Sequence, residues 1–146
     1  MAVVGRVAGT EHYRNIDRFK VETQEGLIAL RVDESLYFAN ASALEEKVWG
    51  LLNQYSNTRY VVLIFSAVNA IDATALTTLN KIDFNLHQRN IELWLAEVKG
   101  PVMDKLISSS YCFNKIFQVF ISSKIPFSLD ILPKYTTLNL GFFFNV

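Results

Sequence analysis

Two runs constrain the fold of this chain more than anything else in it: "YVVLIF" at 60–65 and "IELWLAEV" at 91–98 are apolar on successive residues, not on alternate ones. An alternating strand can leave one face wet, but a strand apolar on both faces needs cover on both. That is the condition of a strand inside a sheet with helices packed on each side. Each run leads into helix-patterned sequence. Leu76, Leu79, Ile82 and Leu86 recur at helical spacing up to about Arg89, with Asp72 placed as N-cap and Asn90 as the end. "KGPVMDKLISSS" predicts a short helix with Pro101 in its first turn, where a missing N–H costs nothing. Upstream, Leu44, Val48, Leu51, Leu52 and Tyr55 form another stripe. It is headed by "SALE", a capping box in which Ser42 and Glu45 would satisfy free backbone N–H groups. Lys115 to Ile121 reads as a further strand and Pro126 to Leu132 as a brief helix. Strand and helix in alternation imply parallel pairing with right-handed crossovers.

The first part of the chain is patterned differently. Residues 1–17 carry Gly5, Gly9 and mixed charges without periodicity, which predicts an extended leader and not a packed element. Two short strand-like runs, Phe19 to Thr23 and Leu27 to Val32, flank the turn-like "QEG" and predict a hairpin. The expected fold is α/β, a mixed and mostly parallel sheet of about four to six strands with about four to five helices packed against it. One domain spans 18–135, between the 1–17 leader and a 136–146 tail ending in "FFFNV".

Composition excludes several classes. At 146 residues, 51% apolar and 19% charged, the chain can bury a core without staples and does not have the make-up of a disordered one. Fourteen basic residues balance fourteen acidic ones, so no net field draws it to nucleic acid or to an anionic membrane. The single Cys112 has no partner for a disulfide and no C-x-x-C companion for zinc, which points to a reducing setting. No signal-like segment and no membrane-length apolar run is present, so a soluble, unexported chain is expected. Asn40-Ala41-Ser42 matches a glycosylation sequon, but without an export signal it reads as a helix start.

A search for chemistry finds no catalytic constellation. His12 and His87, the only histidines, lack Cys or carboxylate neighbours at metal-ligand spacing and read as surface residues, so no metal or cofactor site is expected. "GRVAGTEH" has two glycines but neither the lysine nor the preceding strand of a phosphate loop. Asp33 and Glu34 end a strand as adjacent carboxylates, but strand neighbours point to opposite faces, which favours a solvated loop over an acid–base pair. What remains is "IDATALTTL" at 71–79. With Asp72 as cap, Thr74 lies in the first turn of a helix, where free N–H groups and the macrodipole favour negative charge. Spacing alone leaves two readings open: a small polar residue that opens a helix, or a hydroxyl whose phosphorylation would set a charge against Asp72 and act as a switch.

The strand "VVLIFSAVNAID", the small "ATAL" after it and "IELWLAEVKGPVMDKL" resemble the STAS domain, the module of sulfate transporters and anti-sigma factor antagonists. The leader "GRVAGTEHYRNIDR", with "LRVDESLYFANA", is similar to the region that follows the last transmembrane helix in sulfate permease (SulP) family transporters. The resemblance covers Val4 to about Ser110, and more loosely reaches Pro133. It implies a cytoplasmic C-terminal domain of a secondary anion transporter of an inner (plasma) membrane, bacterial in origin, that regulates, assembles or stabilises the transporter and is not an enzyme. In the antagonist branch the loop reads Asp, Ser, Ser, Gly, and the second serine accepts phosphate. Asp72 matches the acid and Thr74 the phosphorylated position, while Ala73 and Ala75 depart from the pattern. Thr74 is thus the candidate regulatory residue.

The same resemblance implies further contacts. A partner or weak nucleotide would meet the loop of Asp33, Asn69, Asp72, Ala73, Thr74 and Ala75, and an interaction face on the next helix would include Asn80, Asp83 and His87. The implied partners are the transmembrane domain of the same transporter and a soluble protein such as acyl carrier protein. A homodimer would form through the full-length transporter. The rival readings are a free antagonist-like signalling protein switched at Thr74 and a nucleotide-binding domain.

Overall fold

The computed structural model describes residues 1–10, 12–109 and 118–120. Its strands are β1 (Ala2–Arg6), β2 (Tyr13–Asn15), β3 (Leu27–Arg31), β4 (Tyr60–Ile64), β5 (Glu92–Ala96) and β6 (Gln118–Phe120). Its helices are α1 (Phe38–Gln54), α2 (Ala73–His87) and α3 (Gly100–Ser108). The sheet runs β2-β1-β3-β4-β5-β6, with β3 to β6 parallel and β1 antiparallel to both of its neighbours. This is the mixed, mostly parallel α/β sheet that the alternating pattern implied.

The two-sided apolarity of β4 and β5 is explained by two cores. Leu30, Val61, Leu63, Leu93 and Leu95 point to one side, where they join Leu44 and Val48 of α1, Leu79 and Ile82 of α2, and Val102 and Leu106 of α3. Val4, Ala29, Val62, Ile64, Trp94 and Ala96 form a second core on the other side. Trp94 is buried there edge-on to Tyr60 at 6.4 Å, and its Nε1 donates to Glu92 Oε2 at 3.1 Å. Among the described residues, all three helices join the first core and none the second. The further helix expected at Pro126 to Leu132 and the 136–146 tail lie outside the described residues, and the strand expected from Lys115 is described only from Gln118.

Three local expectations are corrected. Residues 2–6, expected as unpaired leader, are a strand inside the sheet: Ala2 pairs with Arg31 and Val3 with Leu30 on one side, and Val4 to Arg6 pair with Tyr13 to Asn15 on the other. The expected hairpin does not form, because Leu27–Arg31 takes β1 and β4 as partners and the 19–23 run contributes only an Arg6–Glu22 bridge. That run lies so close over β1 that a Cβ on Gly5 would come within 2.7 Å of Glu22 O and Val21 Cγ2. Third, α1 starts four residues before Ser42. Asn40 organises the start: its Oδ1 accepts from the Tyr37 N–H at 2.8 Å and its Nδ2 donates to Ser35 O at 2.9 Å. Ser42 is an exposed residue inside the helix, and Glu45 instead pairs with Lys81 of α2 at 2.8 Å.

Candidate functional site

In a parallel sheet every helix that follows a strand begins at the same edge, so the loops after β3, β4 and β5 are brought together. Here they are also joined by hydrogen bonds. Leu36 N–H donates to Ala70 O and Asp72 N–H to Leu36 O, both at 3.1 Å, so the β3–α1 and β4–α2 loops form a short parallel bridge. Ser35 Oγ accepts the N–H groups of Asn69 and Ala70, each at 3.1 Å. Asn69 Oδ1 in turn accepts from Lys99 Nζ at 2.6 Å, which draws in the loop before α3.

Asp72 stands at the centre of this edge. One carboxylate oxygen accepts the Ala75 N–H at 2.8 Å, capping α2, and the other accepts the Phe38 N–H at 2.9 Å, the first residue of α1. A single acid therefore serves the N-termini of two helices. The bond from Ala75 N–H, followed by those from Phe38 and Thr74 and by the charge of Lys105, holds this carboxyl below its ordinary range against a smaller opposing effect of burial. Two of the N–H groups that a bound phosphate could use at these helix starts, those of Phe38 and Ala75, are taken by this internal anion.

The other expected residues are placed as follows. Thr74 is exposed in the first turn of α2, and its carbonyl accepts from Thr78 Oγ1 at 3.1 Å; Ala73 is exposed beside it and Ala75 is buried. Asp33 sits just past β3, bonded to Arg31 Nε; partial burial pushes its carboxyl up, but the Met1 amine and Arg31 outweigh this and hold it low. Asn80 and Asp83 lie on a half-buried flank of α2, and His87 is exposed further along it. Burial raises the Asp83 carboxyl to about 6, moderated by His87 one turn away, an i, i+4 carboxylate–imidazole spacing that corrects the sequence reading of His87 as lacking a carboxylate neighbour. The outward face of α2 is carried by Thr77, Lys81 and Phe84. Phe84 is 62% exposed, and Phe38, beside Asp72, is 72% exposed.

Sequence reasoning missed Ser35, Phe38 and Lys99. Ser35 had a local signal, a hydroxyl between a strand end and a helix start. Lys99 had none, since its partner is 30 residues away. Among the described residues no group of His, Cys, Asp and Glu could hold a metal, and no helix is long and apolar enough to cross a membrane.

The edge so built defines an α/β module whose loops are fastened to one another by structural hydrogen bonds and present an exposed threonine and exposed aromatics. Residues 18–123 match the family model of the STAS domain, and the chain belongs to that family. It is 28% identical over 130 residues to sulfate transporter 1.3 of Arabidopsis thaliana, a match covering 80% of this chain and 20% of the relative. The chain thus spans about a fifth of the length of the curated relatives it matches. In fold it is similar to part of the murine Solute Carrier 26 family member A9 anion transporter, with a TM-score of 0.76 and 18% identity over 92% of this chain and 22% of that one. It is also similar to a Thermotoga maritima protein described as an anti-sigma factor antagonist, with a TM-score of 0.57 and 19% identity over 67% of this chain and 81% of that one.

Proposed function

We propose that this chain is the cytoplasmic C-terminal STAS domain of a sulfate-type secondary anion transporter, and that it regulates, assembles or stabilises the transporter through protein contacts. The observation that carries this reading is the match to sulfate transporters over a fifth of their length, which is the share a soluble appendage would occupy. The contact surface is the loop edge from Asn69 to Ala75 together with the outward face of α2. Phe38 and Phe84 are its apolar anchors in this reading, being the most exposed large apolar side chains among the described residues, at 72% and 62%. Its partner is the transmembrane domain of the same protein, or a soluble protein such as acyl carrier protein, in a transporter that dimerises as a whole.

The test uses the full-length gene. Phe38→Ser and Phe84→Ser remove exposed apolar surface without opening the core. Sulfate uptake and surface abundance are measured beside the thermal stability of the domain. The reading expects at least one variant to lower uptake or abundance while the domain stays as stable as wild type. Unchanged uptake and abundance in both, and in the double variant, would sink it.

A second reading, a free antagonist-like switch, draws support from the exposure of Thr74 next to Asp72. Under it, a Thr74→Glu variant changes binding to a kinase-type partner while Thr74→Ala does not. A nucleotide at this loop would have to displace Asp72 from the N–H groups of Ala75 and Phe38, and a calorimetric titration with GTP and ATP tests that rival directly.

A further inference from the structure

The balance of fourteen basic and fourteen acidic residues over the whole chain does not hold locally. Residues 12–20 read "HYRNIDRFK", where Arg14, Arg18 and Lys20 stand against Asp17 alone, three positive charges to one negative. β2 and the turn after it gather them. The Arg18 and Phe19 N–H groups donate to Asn15 O at 3.2 and 3.1 Å, and the Asp17 N–H donates to Asn15 Oδ1 at 2.8 Å, which closes a tight turn from Asn15 to Phe19. This turn presents the Phe19 ring with 51% of the residue exposed, and the Arg14 guanidinium lies over the ring, 5.7 Å from its centre.

Arg6, Arg31 and Lys81 each pair with an acid, but Arg14, Arg18 and Lys20 are exposed and form no ion pair among the described residues. The patch also has a fixed place. Ile16 N–H donates to Val3 O at 3.1 Å, so the turn packs beside the first residues of the chain. Ala2 pairs with Arg31 at the end of β3, which puts this corner of the sheet next to the loop edge. An exposed ring among unpaired cations is the combination that holds a protein to an anionic bilayer, the ring entering the headgroup layer and the cations meeting lipid charges.

We propose that Arg14 and the turn from Asn15 to Lys20 form a docking surface for an anionic membrane. The choice of a membrane over an acidic protein rests on the transporter reading, in which the last membrane span leads into residue 1, two residues from the Val3–Ile16 bond. Each cation at such a surface strengthens binding about fivefold, and a span already in the bilayer removes most of the cost of bringing the turn to it. Docking there holds the adjoining loop edge close to the membrane domain.

The test titrates the isotope-labelled 146-residue chain at low salt with vesicles of phosphatidylcholine, alone or with about one-third phosphatidylserine. A trace of nitroxide-headgroup lipid bleaches the amides that approach the surface. The expected result is binding to the anionic vesicles only, half-complete at roughly millimolar lipid and lost at high salt. Bleaching should centre on Arg14 to Lys20 and spare Asn57 at the opposite edge. A triple variant, Arg14→Gln with Arg18→Gln and Lys20→Gln, should abolish measurable binding, a loss of roughly a hundredfold, and Phe19→Ser should weaken it several-fold, both with the dispersed spectrum of wild type. The proposal is overturned if the anionic vesicles do not bind, if neutral ones bind equally, if bleaching centres elsewhere, or if the triple variant binds as wild type does. Polyglutamate that shifts these amides where vesicles do not would assign the patch to an acidic protein instead. The vesicles require no transporter, so this outcome is separate from the fate of the transporter reading.

Discussion

Asp72 does with one carboxylate what helix pairs ordinarily do with two side chains, and this has a distinctive readout. Replacing it with Ala should expose two amides far apart in sequence, Phe38 and Ala75, to faster hydrogen exchange together, while Asn, which also caps helices, should spare Ala75 more than Phe38. Loss of protection at Ala75 alone would show the Phe38 bond to be idle. Asp83 offers a second test at this scale. Its folded carboxyl is raised from 3.8 to about 6, so between those values the folded state holds a proton that the unfolded state has released. Its ionisation therefore costs stability above pH 6, and that cost is relieved as pH falls toward 4. Asp33, Glu45 and Asp72 are lowered, and their contributions run the other way, fading as pH falls through the acid range. Asp83→Asn should stabilise the chain by about 1–3 kcal/mol at pH 7.5, with the gain shrinking toward zero near pH 4, measured by urea unfolding at several pH values. The cap of α2 was legible in the sequence because an acid preceding "ATAL" is a local signal. The Phe38 bond was not, because it spans 34 residues and depends on two loops meeting.

At the scale of elements, α1 and α2 lie side by side on one face of the sheet, held by interlocking Leu, Val and Ile side chains and by one visible ion pair, Glu45 with Lys81. Lys81 Nζ lowers the Glu45 carboxyl, the largest of its influences, but the lysine is 60% exposed and the pair faces water. A double-mutant cycle on Glu45→Gln and Lys81→Gln should give a coupling of less than about 1 kcal/mol. A larger value would mean that the pair, and not the apolar seam, sets the helix contact. Elements with a strong local pattern were readable: the helical stripes of α1 and α2 and the continuous apolar runs of β4 and β5 fall on the elements observed. The start of α1 was misread because "SALE" has the form of a cap while Asn40, two residues earlier, makes the bonds. β1 was misread because five residues containing a glycine carry no periodicity, and strand character there comes from distant partners.

For the whole molecule, the place of β1 is what joins the first residues to the body. Gly5 passes beneath the 21–22 segment with no room for a methyl group, and Gly5→Ala should cost about 1–3 kcal/mol in chemical denaturation. An unchanged midpoint would mean that this segment lifts away freely. The family was legible from motif strings around the loop edge, whereas the basic patch beside β1 was not, since the charge balance of the whole chain conceals it and the turn meets β1 only in the fold. Asp72 has a consequence at this scale too. Its two bonds can form together only when β4 lies beside β3 in the pairing Leu30–Leu63, and a slip of one residue would carry the acid about 3.3 Å away and turn the apolar rows to the wrong sides. In the folded chain the carboxylate thus adds to the preference for this strand alignment over a slipped one, at an edge where the Ser35 and Leu36 bonds also join the two loops.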